Sequence, residues 1–148
     1  MTTMTMNAQS VLKSLAEVSR DGEKGFAAAA EAVKDAKLRS VFETASHRCA
    51  LGAKELEEEV SNLGGSAPTE GVISAAFHRA WTNLKAAITG GDDKAILQEC
   101  ERGEDAAKTA YQKALKEDVP PYVHDIIERQ YKGVVENHDV IKQLRDAA

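Results

Sequence analysis

Cysteine, proline and aromatic residues are all scarce in this 148-residue chain, which has two cysteines, three prolines and 5% Phe, Trp and Tyr together. Cys49 and Cys100 are too few for a disulfide framework and are not spaced as a zinc motif. Prolines stand only at positions 68, 120 and 121, so long stretches carry nothing that interrupts a helix. Nowhere are there the roughly 20 consecutive apolar residues of a membrane span. The opening MTTMTMNAQS has neither a charged leader nor an apolar signal core, so a cytoplasmic protein without membrane contact is expected. Excess positive charge is missing too: 19 Lys+Arg against 24 Asp+Glu leave a formal net charge of −5, which argues against a nucleic-acid partner. No Ser-His-Asp arrangement, phosphate-cradling glycine loop or activated cysteine is present, so no catalytic residue is assigned and the reading leans away from an enzyme.

Apolar residues recur at steps of three and four, and no window shows the strict alternation of a half-buried strand. The class is therefore all-α. One domain over 1–148 is expected, with helices over about 8–34, 37–63, 92–118 and 121–146 and a helical crossover at 70–89. In the first segment the apolar seam runs Val11, Leu15, Val18, Gly22, Gly25 or Phe26, Ala29, Val33; in the second it runs Leu38, Phe42, Ala45, Cys49, Gly52, Leu56, Leu63. Leu63-Gly64-Gly65 supplies a C-cap, and Asp92-Asp93 supplies capping residues for the third long helix. Pro121 suits the first turn of the last one. Two helix hairpins joined by a long crossover make the ferritin-like form of the four-helix bundle. The crossover stripe Ile73, Phe77, Trp81, Leu84, Ile88 is expected to pack onto it, with Trp81 as a packing residue.

The informative positions are those where a polar residue interrupts a seam. Glu104 sits between Cys100 and Ala107 with Gly103 beside it; a carboxylate buried there must be protonated, paired, hydrogen-bonded or metal-bound. Gln130 and either Asn137 or His138 interrupt the last seam, Asp21 lies beside Gly22, and Arg48 beside Cys49. At about 1.5 Å per residue, counting outward from the two connections brings all of these to the middle of the bundle.

The stretches Asp21-Gly22-Glu23-Lys24-Gly25-Phe26, Phe77-His78-Arg79-Ala80-Trp81, Glu99-Cys100-Glu101-Arg102-Gly103-Glu104-Asp105 and Glu136-Asn137-His138-Asp139 resemble a bacterial family of ferritin-like four-helix bundles of unknown function, distantly related to rubrerythrin. The resemblance covers nearly the whole chain. It implies the bundle fold, a distant di-metal ancestry and a stress-associated role, and no substrate. Working di-iron bundles carry a Glu-x-x-His step on two helices. This chain has none: Glu43 and His47, like His124 and Glu128, are four apart, and Glu136 and His138 are two apart.

Two readings of the middle layer follow. In the first, Asp21, Arg48, Glu104, Gln130 and Asn137 form a buried polar network, with Arg48 paired to Glu104, in a non-catalytic bundle that acts through a protein partner or as a homo-oligomer. In the second, Glu104, His138, Asp21 and Glu101 hold iron or manganese in an oxidoreductase-like protein. Cys49 and Cys100 are expected as small buried hydrophobes.

Overall fold

The computed structural model describes residues 3–65 and 75–147, with backbone alone for 75–78, 80 and 81. It is all-α, with helices α1 (Thr3–Ala32), α2 (Ala36–Asn62), α3 (Ala75–Gly90), α4 (Asp93–Ala114) and α5 (Pro121–Ala147), and no strand among the described residues. No helix is long and apolar enough to cross a membrane. The expected start of the crossover near residue 70, Pro68, Ile73 and the side chains of Phe77, His78 and Trp81 lie outside the described residues.

Local chemistry sets the helix ends. Asp35 caps α2, its carboxylate accepting from the Leu38 amide at 3.0 Å, and Asp92 caps α4 by accepting from the Lys94 amide at 3.1 Å. Gly64, at φ +84°, closes α2 in a left-handed turn in which the Gly65 amide bonds the Val60 carbonyl at 2.9 Å. Two boundaries differ from expectation. Helix α1 begins at Thr3 rather than near residue 8, where fully buried Ala8 and a bond from the Asn7 amide side chain to the Asp118 carbonyl, 2.8 Å, hold its first turns. Helix α4 stops at Ala114 rather than 118: the chain tightens into short turns at Lys116 and Glu117, ahead of Val119, where the following Pro120 disfavours helical backbone.

Hydrogen bonds fix the helix directions. Along α1, Asn7 reaches Asp118 and Lys34 reaches Asp93, so α1 and α4 are antiparallel. Gln9 bonds the Leu63 carbonyl and Ser46 the Glu23 carbonyl, which sets α2 antiparallel to α1. Tyr111 with Gln130 and Glu104 with Asn137 do the same for α4 and α5. Glu55 with Arg129 and Arg48 with Gly133 do so for α2 and α5. Each of the four long helices is thus antiparallel to both neighbours, and α3 lies on α4 and α1. The α2–α5 side is the open one: long side chains, not close-packed backbones, bridge it.

Apolar residues gather at the two ends of this body. One cluster holds Leu12, Leu15, Leu56, Val60, Val123 and Ile127; the other holds Phe26, Val33, Phe42, Ile96, Leu97 and Ile141, with the Phe26 and Phe42 rings stacked 6.1 Å apart. The seam of α1 passes through Leu12 rather than Val11, which is only partly buried. Between the clusters, α1 contributes Ser19 and Gly22, α2 Cys49 and Gly52, α4 Glu104 and Ala107, and α5 Gln130, Gly133 and Asn137.

Candidate functional site

That middle layer encloses a chamber of about 650 Å3. Its origin is legible in side chains that are missing. Gly22, Gly25, Gly52, Gly103 and Gly133, at least one on each of the four long helices, line it. A Cβ at Gly22 would stand 3.0 Å from the Cys49 sulfur, so there the glycine serves close approach; at Gly103 a Cβ would meet nothing within 4 Å. The exposed residues of the wall, such as Arg48, Leu51, Arg129, Lys132 and Glu136, belong to α2 and α5, so the chamber opens between those two helices.

Glu104 projects into this space with 5% of its surface exposed. Its Oε1 accepts from Asn137 Nδ2 at 2.8 Å, while Oε2 is buried with no hydrogen-bond partner. Burial pushes the carboxyl up from an ordinary 4.5 to about 7, against the Asn137 hydrogen bond and the charge of Arg48, which pull it down, and with Asp105, which adds repulsion. Arg48 itself is exposed and is not the ion-pair partner expected for Glu104: its Nη1 donates to the Gly133 carbonyl at 2.6 Å, and its Nη2 lies 4.0 Å from Glu136. A long side chain on an open edge keeps its charge in water.

A hydrogen-bonded chain crosses the layer one turn away and touches all four long helices. Ser19 Oγ lies 3.3 Å from the Tyr111 hydroxyl, which donates to Gln130 Oε1 at 2.7 Å. Gln130 Nε2 in turn donates to Glu55 Oε1 at 2.7 Å and to the Gly52 carbonyl at 3.2 Å, and Arg129 bonds Glu55 Oε2 at 2.5 Å. Partial burial raises the Glu55 carboxyl, but the bonds from Arg129 and Gln130 outweigh it and leave its pKa lowered. Burial pushes the Tyr111 hydroxyl and the Cys100 thiol well up and the Cys49 thiol to about 12, with the Glu104 charge adding to each, so none of them is an anion at neutral pH. Both cysteines are free.

The four residues read as metal ligands are not brought to one point. Glu104 and half-buried Asp21 line the chamber, whereas Glu101 and His138 lie outside it. His138 Nε2 stands 2.5 Å from Asp105 Oδ1, and Glu101 Oε1 accepts from Arg145 at 2.5 Å. Ligand atoms of Glu101, Asp105 and His138 come within 4.8 Å of one another. The choice between Asn137 and His138 thus has no single answer: Asn137 turns to Glu104 and His138 to Asp105, on two sides of the same α4–α5 seam. Sequence reasoning missed Asp105 and Arg145, although Asp105 stands one turn beyond Glu101 on α4 and invites the pairing. Nothing local to Tyr111 or Glu55 marks the link that each makes to Gln130.

A family model described as Domain of unknown function (DUF2383) matches residues 7–117, three quarters of the chain, and the chain belongs to that family. The match runs from the first turns of α1 past the end of α4 and stops short of α5. No curated protein matches the chain.

Proposed function

We propose that the chain is a ferritin-like four-helix bundle that works by binding: its middle layer receives a small organic molecule where di-iron relatives of the fold hold metal. The bundle reading is supported by the antiparallel packing of α1 with α2 and α4 and of α5 with α4, by the side chains that link α5 antiparallel to α2 across the open side, and by a helix between the two hairpins. One observation carries the binding reading: Glu104 Oε2 is buried, without a hydrogen-bond partner, in the wall of a chamber of about 650 Å3. Known small-molecule pockets span about 300–1,000 Å3, with mainly apolar walls and a few convergent polar groups. A buried acceptor left unmatched costs stability that a bound donor would restore.

A di-metal centre does not fit this layer. Its carboxylates are too dispersed: Glu104 and Asp21 belong to no group of three ligand atoms within reach of one ion among the described residues. Among the described residues no histidine lines the chamber.

Calorimetric titration with 2-phenylethanol tests the chamber. Saturable binding is expected, lost in Gly103→Leu, whose Cβ would meet no heavy atom within 4 Å at a position that lines the chamber. Equal binding by Gly103→Leu, or no binding by the unsubstituted protein, refutes the reading. A second reading, a single divalent cation on Glu101, Asp105 and His138, is favoured by the convergence of their ligand atoms. It requires Arg145 to release Glu101. Elemental analysis after incubation with manganese and desalting decides it: about one ion per chain, lost in Asp105→Asn and kept in Glu104→Gln, supports the cation site, and no retained metal refutes it.

A further inference from the structure

The chamber's charge distribution says more about its occupant than its size does. The buried carboxyl of its lining is that of Glu104, and no lysine or arginine is buried among the described residues. The cations at the mouth are each turned to an acceptor there: Arg129 to Glu55, Arg48 to the Gly133 carbonyl, and Lys132 to Glu128, 3.9 Å away. Inside, Glu104 Oε2 has no hydrogen-bond partner, and neither has the buried Oε2 of Glu99, whose other oxygen accepts from Arg102 on the surface. Both residues line the chamber, as does Asp21 from the opposite side. The wall therefore holds carboxylates with unmatched oxygens, while Tyr111, Gln130 and Asn137 each turn a donor to an acceptor within it, among apolar residues such as Val18, Phe26, Ala45, Leu84 and Ala107.

Resting on the reading of the chamber as a binding site, the geometry points to an organic cation as its ligand: an amine whose ammonium group donates to Glu104 Oε2 and whose apolar body fills the space bounded by α1, α2, α4 and α5. An ammonium supplies donors only and a full positive charge, which matches an acceptor-only carboxylate buried away from water. A carboxylate or phosphate ligand would face Glu104, Glu99 and Asp21 without a buried cation to hold it. A bare metal ion would leave most of the space unfilled and meets no convergent ligand set there among the described residues. Entry lies between α2 and α5, the side bridged by Arg48 and Gln130.

The test compares three near-isosteres by calorimetry: 2-phenylethylamine, 2-phenylethanol and phenylacetate. At pH 8 the amine is expected to bind at least tenfold more tightly than the alcohol, with phenylacetate weakest. The preference for the amine should drop below threefold in Glu104→Gln. The comparison of amine with alcohol uses the unsubstituted protein, so it stands whether or not the variant folds. Equal binding of amine and alcohol at pH 8 overturns the cation proposal and leaves the chamber reading intact. Failure of all three to bind overturns both.

Discussion

Replacing Glu104 by Gln tests the electrostatics of the middle layer without altering its shape. The carboxyl has an ordinary pKa of 4.5 and is pushed to about 7 in the fold. A group that holds its proton more tightly when folded stabilises the fold at low pH, and that contribution fades as pH rises from the unfolded to the folded pKa. The loss of stability therefore begins near pH 4.5 and is complete a little above pH 7. Worked through with these two values, the native state gives up on the order of 2.5 kcal/mol between pH 5 and pH 8 through this one side chain. Gln keeps the acceptor for Asn137 but has no charge to desolvate. It also buries an amide N–H2 where Oε2 now lies, costing about 1–3 kcal/mol at every pH. That fixed cost cancels when the variant is compared with the parent at two pH values. Urea unfolding of both proteins at pH 5, 6, 7 and 8 should show the variant gaining about 2.5 kcal/mol relative to the parent across the range, mostly between pH 5 and 7. A difference that stays constant within about 0.5 kcal/mol over that range would refute the assignment of Glu104 as a desolvated acid.

Other substitutions probe the parts that hold the layer in place. Tyr111→Phe removes the hydroxyl between Ser19 and Gln130 and should cost about 1–3 kcal/mol in urea unfolding, since Gln130 Oε1 loses its donor; no loss would show that the chain across the bundle contributes nothing. Asp93→Ala should cost about 1–2 kcal/mol, because this carboxylate accepts from the Lys34 and Asp35 amides at 2.9–3.1 Å and ties the α1–α2 turn to the start of α4. A cost within about 0.5 kcal/mol, the size of an ordinary surface change, would contradict that tie. Gly22→Ala and Cys49→Ala should be coupled by about 1 kcal/mol in a double-mutant cycle, the cysteine change relieving the 3.0 Å approach of its sulfur; additive effects would exclude the clash.

The parts of the structure that were readable in the sequence are those fixed by local chemistry. Asp92, Gly64 and Pro121 announce helix ends because a cap or a proline acts within one turn of its own position. Glu104 announces itself because a carboxylate on an apolar stripe has few ways to exist. What stayed hidden depends on partners far along the chain. Asp93 looks like a second capping residue, yet it serves amides 58 and 59 residues away. Arg48 sits beside Cys49 near the seam, but its length carries the guanidinium out to Gly133, and no periodicity reports how far a flexible side chain reaches. Asn137 and His138 look like rivals for one inward position, and only the presence of α4 on that side gives each its own partner.

The separation of the two apolar clusters has a mechanical consequence. Four rods carry weight at both ends and a hollow at the waist, so the body resists splaying at its tips and yields at its middle. Bending there compresses or widens the α2–α5 side, where Gln130, Arg129 and Arg48 act as struts with adjustable length. Filling the hollow would turn that pliant waist into a continuous column, so occupancy could be felt at either tip as stiffness without any helix being rebuilt.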